Sequence, residues 1–134
     1  MAEEKMFRLK IITPDRIFYE GEADMVEMST SNGDVGIYKN HVPTTFILIP
    51  GVLNIHQDGE MRQAALHSGF AEILLDQVTV LAEAAEWPDE IDVERARRAK
   101  ERAEERIQSH AGDVDVARAQ LALRRSLVRM KVGH

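Results

Sequence analysis

Cysteine is absent from this 134-residue chain. That excludes disulfide scaffolds, thiol nucleophiles and cysteine-based zinc sites, and it fits a reducing compartment. Aromatic residues make up only 5% of the sequence, with a single tryptophan, Trp87. Together with the acidic balance this argues against a nucleic-acid surface, which needs basic patches and stacking rings. No apolar run approaches the roughly 20 residues that span a bilayer. The opening "MAEEKMFRLK" has neither the apolar core of a secretory signal nor the Arg- and Ser-rich character of a transit peptide, so the expectation is a protein that stays where it is made. Two phosphate-binding signatures, G-x-x-x-x-G-K-[ST] and G-x-G-x-x-G, are missing. His56, His67, His110 and His134 show no metal-ligand spacing, so no metal site is expected. Ser29 and Ser31 have no recognisable base partner, and no catalytic set emerges.

The net charge of −6 conceals a division. Residues 1–90 carry sixteen acids against six bases, a net −10, whereas residues 91–134 carry seven acids against eleven bases, a net +4. The reversal coincides with "EWPDE", where Pro88 disfavours helix at Trp87. It marks a boundary between two parts, 1–87 and 88–134.

Before residue 88 the apolar pattern has period two. "FRLKI" puts Phe7, Leu9 and Ile11 on one face, and "DMVEMS" continues the alternation. "TTFILIP" reads as a strand buried on both faces. "GVLNIHQDGEMRQAALH" reads as a hairpin turning at Asp58-Gly59, and "AEILLDQVTVLAEA" as another turning at Asp76-Gln77. About eight short strands at this spacing predict an antiparallel sandwich or barrel. After residue 88 the period becomes helical. Ala96, Ala99, Ala103 and Ile107 share one face, Gly112 breaks the pattern, and Asp113 or Asp115 can cap a second helix striped by Val116, Ala119, Leu123, Leu127 and Met130. The fold class is therefore α+β in two parts: an N-terminal antiparallel β-sandwich and a C-terminal antiparallel two-helix hairpin. A stripe composed mostly of alanine buries little area, so the hairpin needs a docking surface, a ligand or a partner.

The bases of the hairpin follow a pattern. Asp92, Arg95, Arg98, Arg102 and Arg106 advance by three or four residues and share one side of the first helix, and Arg118, Arg125 and Arg129 share one side of the second. Packed antiparallel, the two rows can flank a groove in which guanidinium forks meet phosphate oxygens. The same residues, interleaved with Glu94, Glu101, Glu104 and Glu105, also fit a solvated helix laced with i,i+4 pairs. Asp92 fits an N-cap as well as a ligand contact.

Three ordered segments carry a resemblance over nearly the whole chain: "SNGDVGIYKNHVPT", "HSGFAEILLDQVTVLAEAAE" and "IDVERARRAKERAEERIQSHAGDVDVARAQLALRRSL". They resemble the epsilon subunit of bacterial F-type ATP synthases. The resemblance implies a sandwich of about ten strands followed by a helical hairpin, in a non-catalytic stalk subunit at the cytoplasmic face of the bacterial plasma membrane. The sandwich would bind the gamma subunit and the c-ring, and couple proton (or sodium ion) flow to ATP synthesis. The hairpin would alternate between a folded state and an extended one that reaches the alpha and beta subunits and inhibits ATP hydrolysis. Some members bind ATP as a regulatory ligand through I/L-D-x-x-R-A. Ile91, Asp92, Arg95 and Ala96 match that motif, Glu86 matches a further contact, and Arg102, Arg125 and Arg129 match the accompanying arginines. The resemblance leaves open whether magnesium accompanies the nucleotide. It also places Asn32, Gly33, Asp34 and His41 at gamma or c-ring contacts. The segment "EWPDEID" departs from the family's usual linker, Trp87 and Pro88 making it stiffer. An inhibitory arm that meets only proteins, with no nucleotide site, is the alternative.

Overall fold

The computed structural model describes residues 5–109 and 115–133; Gly112, Asp113, His110 and His134 lie outside the described residues. The strands are β1 (Phe7–Thr13), β2 (Arg16–Ala23), β3 (Met25–Thr30), β4 (Gly33–Ile37), β5 (Thr44–Leu48), β6 (Gly51–Gln57), β7 (Glu60–Ile73) and β8 (Gln77–Glu86). A short 3-10 turn, Pro88–Glu90, leads to α1 (Val93–Ser109) and α2 (Val116–Gly133). The described residues thus form eight strands, fewer than the roughly ten that the resemblance implies.

Alternation builds the sandwich. Phe7, Leu9, Ile11 and Thr13 of β1 point inward and are buried, and β3 and β6 repeat the pattern. The strands run β2-β1-β8-β7-β5-β3-β4, with β6 pairing β3 and β7. β5 and β6 lie end to end along β7: Leu48 faces Gly69 and Gly51 faces Leu66. They are one line broken at Ile49-Pro50, where proline has no N–H to give to a ladder. All pairings are antiparallel except that of β1 with β8. The hairpin turn at Asp58-Gly59 forms as expected, both residues taking positive φ (51° and 81°). A continuous core joins Leu9, Ile11, Met28, Leu53, Ile55, Ile73, Val78 and Val80.

One strand differs from expectation. "TTFILIP" is not buried on both faces: Ile47 is 66% exposed. Ile47 faces Phe70 across β5–β7, Phe70 faces Leu81 across β7–β8, and Leu81 faces Ile12 across β8–β1. The apolar run reflects an outward-facing row across four strands instead of a second covering layer.

The hairpin docks through α2. α1 packs chiefly on α2, whereas α2 packs on α1 and on β6 and β7. Ala96 and Ala103 are the buried residues of α1, in line with the alanine stripe. In α2 the stripe is only partly right, because Leu127 is 46% exposed while Ser126, Val128 and Val132 are buried. A helix held between two surfaces buries a wider, rotated arc than one stripe describes. Val128 and Val132 close on Ala65, Val52 and Ile91. A Cβ at Gly133 would stand 2.7 Å from the Ile91 side chain, so the end of α2 touches the root of α1.

The linker belongs structurally to the sandwich. Trp87 stacks on Phe18 (centroids 4.2 Å, 16° between planes), and the Arg62 guanidinium lies 4.0 Å from the Trp87 ring centre. Arg16 donates two bonds to Glu90 (2.7 and 2.8 Å), and Glu90 accepts the Trp87 backbone N–H (2.9 Å). The stiffness expected of Trp87-Pro88 thus comes from anchoring on β2 and β7.

Candidate functional site

A cavity of about 330 Å³ opens where the end of β8, the 3-10 turn and both helices meet. Its walls are Glu86, Glu90, Asp92, Arg95, Ala96, Ala99, Arg102 and Arg129.

Each wall has a local cause. Asp92 caps α1: its Oδ1 accepts the Arg95 N–H at 3.0 Å and its carbonyl accepts the Ala96 N–H at 3.0 Å. Capping fixes the carboxylate at the cavity mouth, so the two roles open to Asp92 are compatible. Arg95 and Arg102 are two turns apart on one side of α1, and their guanidiniums have no hydrogen-bond or ion-pair partner among the described residues. Ala96 and Ala99 leave room between the helices. Glu86 ends β8, and its Oε1 accepts bonds from His67 Nε2 (2.9 Å) and Arg129 Nε (2.8 Å). Burial pushes the Glu86 carboxyl up, but the bonds from His67 and Arg129, together with their charge, outweigh it and hold the carboxyl below its ordinary range. Glu90 is likewise lowered, by the Arg16 hydrogen bond first and the Trp87 N–H next. The cavity therefore combines ionised acceptors from the sheet end with three guanidiniums from the helices. A ligand that carries both donors and phosphate oxygens matches that set.

Six of the eight residues expected at a nucleotide site line this one cavity: Glu86, Asp92, Arg95, Ala96, Arg102 and Arg129. Ile91 does not line it, but packs into the apolar cluster with Val128, Val132 and Ala65. Nor does Arg125, which donates to Glu83 at 3.0 Å outside the cavity. The two arginine rows do not flank a single groove. Arg102 also lines a second groove of about 540 Å³ with Arg106 and Arg118, walled by Ala99, Ala103, Ala119 and Ala122. α2 is held to the sandwich by three arginines, since Arg124 Nε donates to the Pro50 carbonyl (2.6 Å) beside the Arg125–Glu83 and Arg129–Glu86 pairs.

Sequence reasoning missed His67. Its ring is 1% exposed beneath Glu86, and its Nδ1 is buried with no partner. The only available signal was a histidine inside a run otherwise reading as core strand, "AALHSGF".

Asn32 lies in the exposed turn between β3 and β4, and Gly33 and Asp34, also exposed, begin β4. Gly33 takes φ 112°, the Asn32 N–H donates to Thr30 Oγ1, and Asp34 Oδ1 accepts from Ser29 Oγ. His41 follows Asn40, itself at φ 68°, and lies edge-on to Phe46 with ring centroids 6.2 Å apart. Around it Tyr38, Val42, Leu74 and Leu75 are exposed, and the Asn40 N–H bonds the Leu75 carbonyl.

Residues 6–88 match the family described as ATP synthase, Delta/Epsilon chain, beta-sandwich domain, and residues 89–133 match its long alpha-helix domain. The chain belongs to the ATP synthase epsilon-chain family. The family's two domains meet within the 3-10 turn. The ATP synthase epsilon chain of Caldanaerobacter subterraneus is 44% identical over 131 residues, covering 97% of this chain and 95% of that one. That of Shouchella clausii is 46% identical over 126 residues, covering 94% and 93%. Among solved structures, a chain of the Euglena gracilis mitochondrial ATP synthase OSCP/F1/c-ring superposes with a TM-score of 0.84 at 23% identity, over 96% of this chain and 82% of that one, a likeness of fold. Among the described residues no helix is long and apolar enough to cross a membrane.

Proposed function

We propose that this epsilon chain is a non-catalytic central-stalk subunit of a bacterial, proton-translocating F-type synthase, and that its hairpin senses ATP. The observation that carries the sensing is the convergence of Glu86, Asp92, Arg95, Ala96, Arg102 and Arg129 on one cavity between hairpin and sandwich. A nucleotide there stabilises the docked hairpin, because its phosphates neutralise Arg95, Arg102 and Arg129 while Glu86 and Asp92 accept from ribose hydroxyls or the base amine. At a hundred times the dissociation constant it favours the docked state by about 2.7 kcal/mol. When ATP falls, the hairpin leaves the sandwich, and its arginines become available to acidic surfaces of the alpha and beta subunits, where the extended arm inhibits hydrolysis.

Docking to the gamma subunit and the c-ring falls to the sandwich. What supports this is exposed apolar surface: the row Ile47–Phe70–Leu81, and the end bearing His41, Val42, Leu74 and Leu75. The Asn32-Gly33-Asp34 segment is a further exposed contact. Such a subunit sits at the cytoplasmic face of the plasma membrane through its complex.

A second reading is favoured by a separate observation. Arg125 and Arg129 already pair with Glu83 and Glu86 of the sandwich, so α2 has its own electrostatic hold and the arm can work through protein contacts alone.

Titrating ATP into the full chain while following Trp87 fluorescence separates them, with ADP and an Asp92→Ala/Arg95→Ala variant as controls. A saturable change lost in the variant supports the sensor. Silence in both fluorescence and calorimetry leaves the protein-binding arm.

A further inference from the structure

His67 has no part in the motif, yet it is one of the largest fully buried side chains of the molecule. It lies in β7 directly after the buried Ala64, Ala65 and Leu66. Packing alone does not explain it: an aliphatic side chain fills such a site without burying an unpartnered Nδ1, whose lost hydration costs free energy. The return is at the other nitrogen. A carboxylate only accepts, so Nε2 carries the proton in the 2.9 Å bond to Glu86 Oε1.

That bond changes what Glu86 and Arg129 can do together. An arginine and a carboxylate brought face to face prefer two parallel bonds, with both oxygens and two nitrogens consumed. Here they share only one, from Arg129 Nε to the oxygen that His67 also holds. Glu86 Oε2 makes no bond among the described residues, and neither do the terminal nitrogens of Arg129; both residues line the cavity. The other charged groups that line a cavity with the pair are Glu90 from the 3-10 turn and Asp92, Arg95 and Arg102 from α1 on one side, and Asp15, Arg16 and Glu83 on the other. None of these reaches His67, which sits below the carboxylate on the sheet side.

We infer that His67 is a positioning residue for the cavity: by holding one oxygen of Glu86 it keeps Glu86 and Arg129 from closing into a two-bond pair, leaving an acceptor and a cation side by side for a ligand that carries both a hydroxyl or amine and a phosphate. The inference rests on the nucleotide reading, and its distinctive consequence is a separation of ligand affinity from docking. Without the His67 N–H, the Glu86–Arg129 pair closes on itself, α2 stays docked, and the ligand loses both groups.

The test uses the full chain with ATP as probe. Calorimetry measures affinity, and protease protection of the hairpin without nucleotide measures docking. For His67→Leu the expected result is affinity lower by on the order of tenfold with protection unchanged, the scale seen when a residue supporting a direct ligand is removed. His67→Gln, whose amide reaches Glu86 as Nε2 does, restores affinity. If His67→Leu does not fold, His67→Asn replaces it, being polar but too short to reach the carboxylate. Affinity equal to wild type in the variant lacking the bond overturns the positioning role, as does equal weakening in His67→Gln or loss of protection without nucleotide, either of which makes the ring a packing element. Absence of ATP binding in the wild-type chain overturns the nucleotide reading itself, and is recognised before any variant is compared.

Discussion

Glu86 joins the two parts of the molecule: it ends β8, takes a bond from β7 through His67 and one from α2 through Arg129, and faces the cavity. Its carboxyl sits below the ordinary range, so it gives up charge in the docked state only at lower pH than in an undocked chain. The sign follows: the docking stability it supplies is fully present above the ordinary carboxylate pKa of about 4.3, and is lost as pH falls through the lower docked value. Scattering or amide NMR across this acid window is expected to show the hairpin leaving the sandwich, with Glu86→Gln flattening the dependence. An unshifted profile in that variant assigns the acid sensitivity elsewhere. Asp92 allows a second separation at this scale. Asp92→Ala removes the cap and costs the first helix about 1 kcal/mol. Asp92→Ser keeps a capping oxygen but no charge, so helicity by circular dichroism is expected to hold while ATP affinity drops. Equal affinity in the serine variant reduces Asp92 to a cap.

Between the helices the contact depends on small residues. Ala96, Ala103, Ala119 and Ser126 are buried, and the backbones approach because nothing larger intervenes. Ala103→Leu forces the helices apart at a cost of about 1–3 kcal/mol, as overpacking does elsewhere. Because the sandwich has its own core, the expected outcome is selective: faster cleavage within residues 93–133 and an unchanged protease-resistant sandwich. Loss of both together makes the two parts one cooperative unit. Elements of this kind were legible in the sequence. Period-two alternation located β1, β3 and β6, Asp58-Gly59 located its turn, and Asp92 and Asp115 sit where a cap is needed, each bonding the N–H three residues on. What escaped involves pairings distant in the chain. Nothing local says that β5 and β6 are one line along β7, that Arg125 turns to Glu83 instead of the cavity, or that α2 buries Ser126 and Val128 and exposes Leu127. Of the six expected residues that line the cavity, Asp92, Arg95 and Ala96 were named through a motif and Glu86, Arg102 and Arg129 through the wider resemblance, whereas His67, acting through Glu86, left no pattern of spacing.

At the scale of the whole molecule, an acidic sandwich carries a basic hairpin, and the arginines of α2 join them while those of α1 do not. Charge thus divides the labour: α2 holds, and α1 supplies Arg95 and Arg102 to whatever enters the cavity. The opposite requirement falls on the sandwich face that shows Ile47, Phe70 and Leu81 side by side on adjacent strands, 66%, 45% and 38% exposed. An isolated large apolar residue on a surface is ordinary, but three in register are a patch that another surface covers. A charge placed there leaves the isolated chain little changed, since an exposed substitution is worth within about 0.5 kcal/mol. It becomes costly only when a partner must bury it unpaired. Phe70→Asp is therefore expected to melt as wild type does and to keep its ATP response, yet to fail to co-purify with the rotor subunits; Arg125→Ala, which breaks the hold on Glu83, is expected to do the reverse, assembling normally while docking its hairpin less firmly. Normal assembly of Phe70→Asp would move the stalk contact off this face, toward the His41 loop and the Asn32-Gly33 turn.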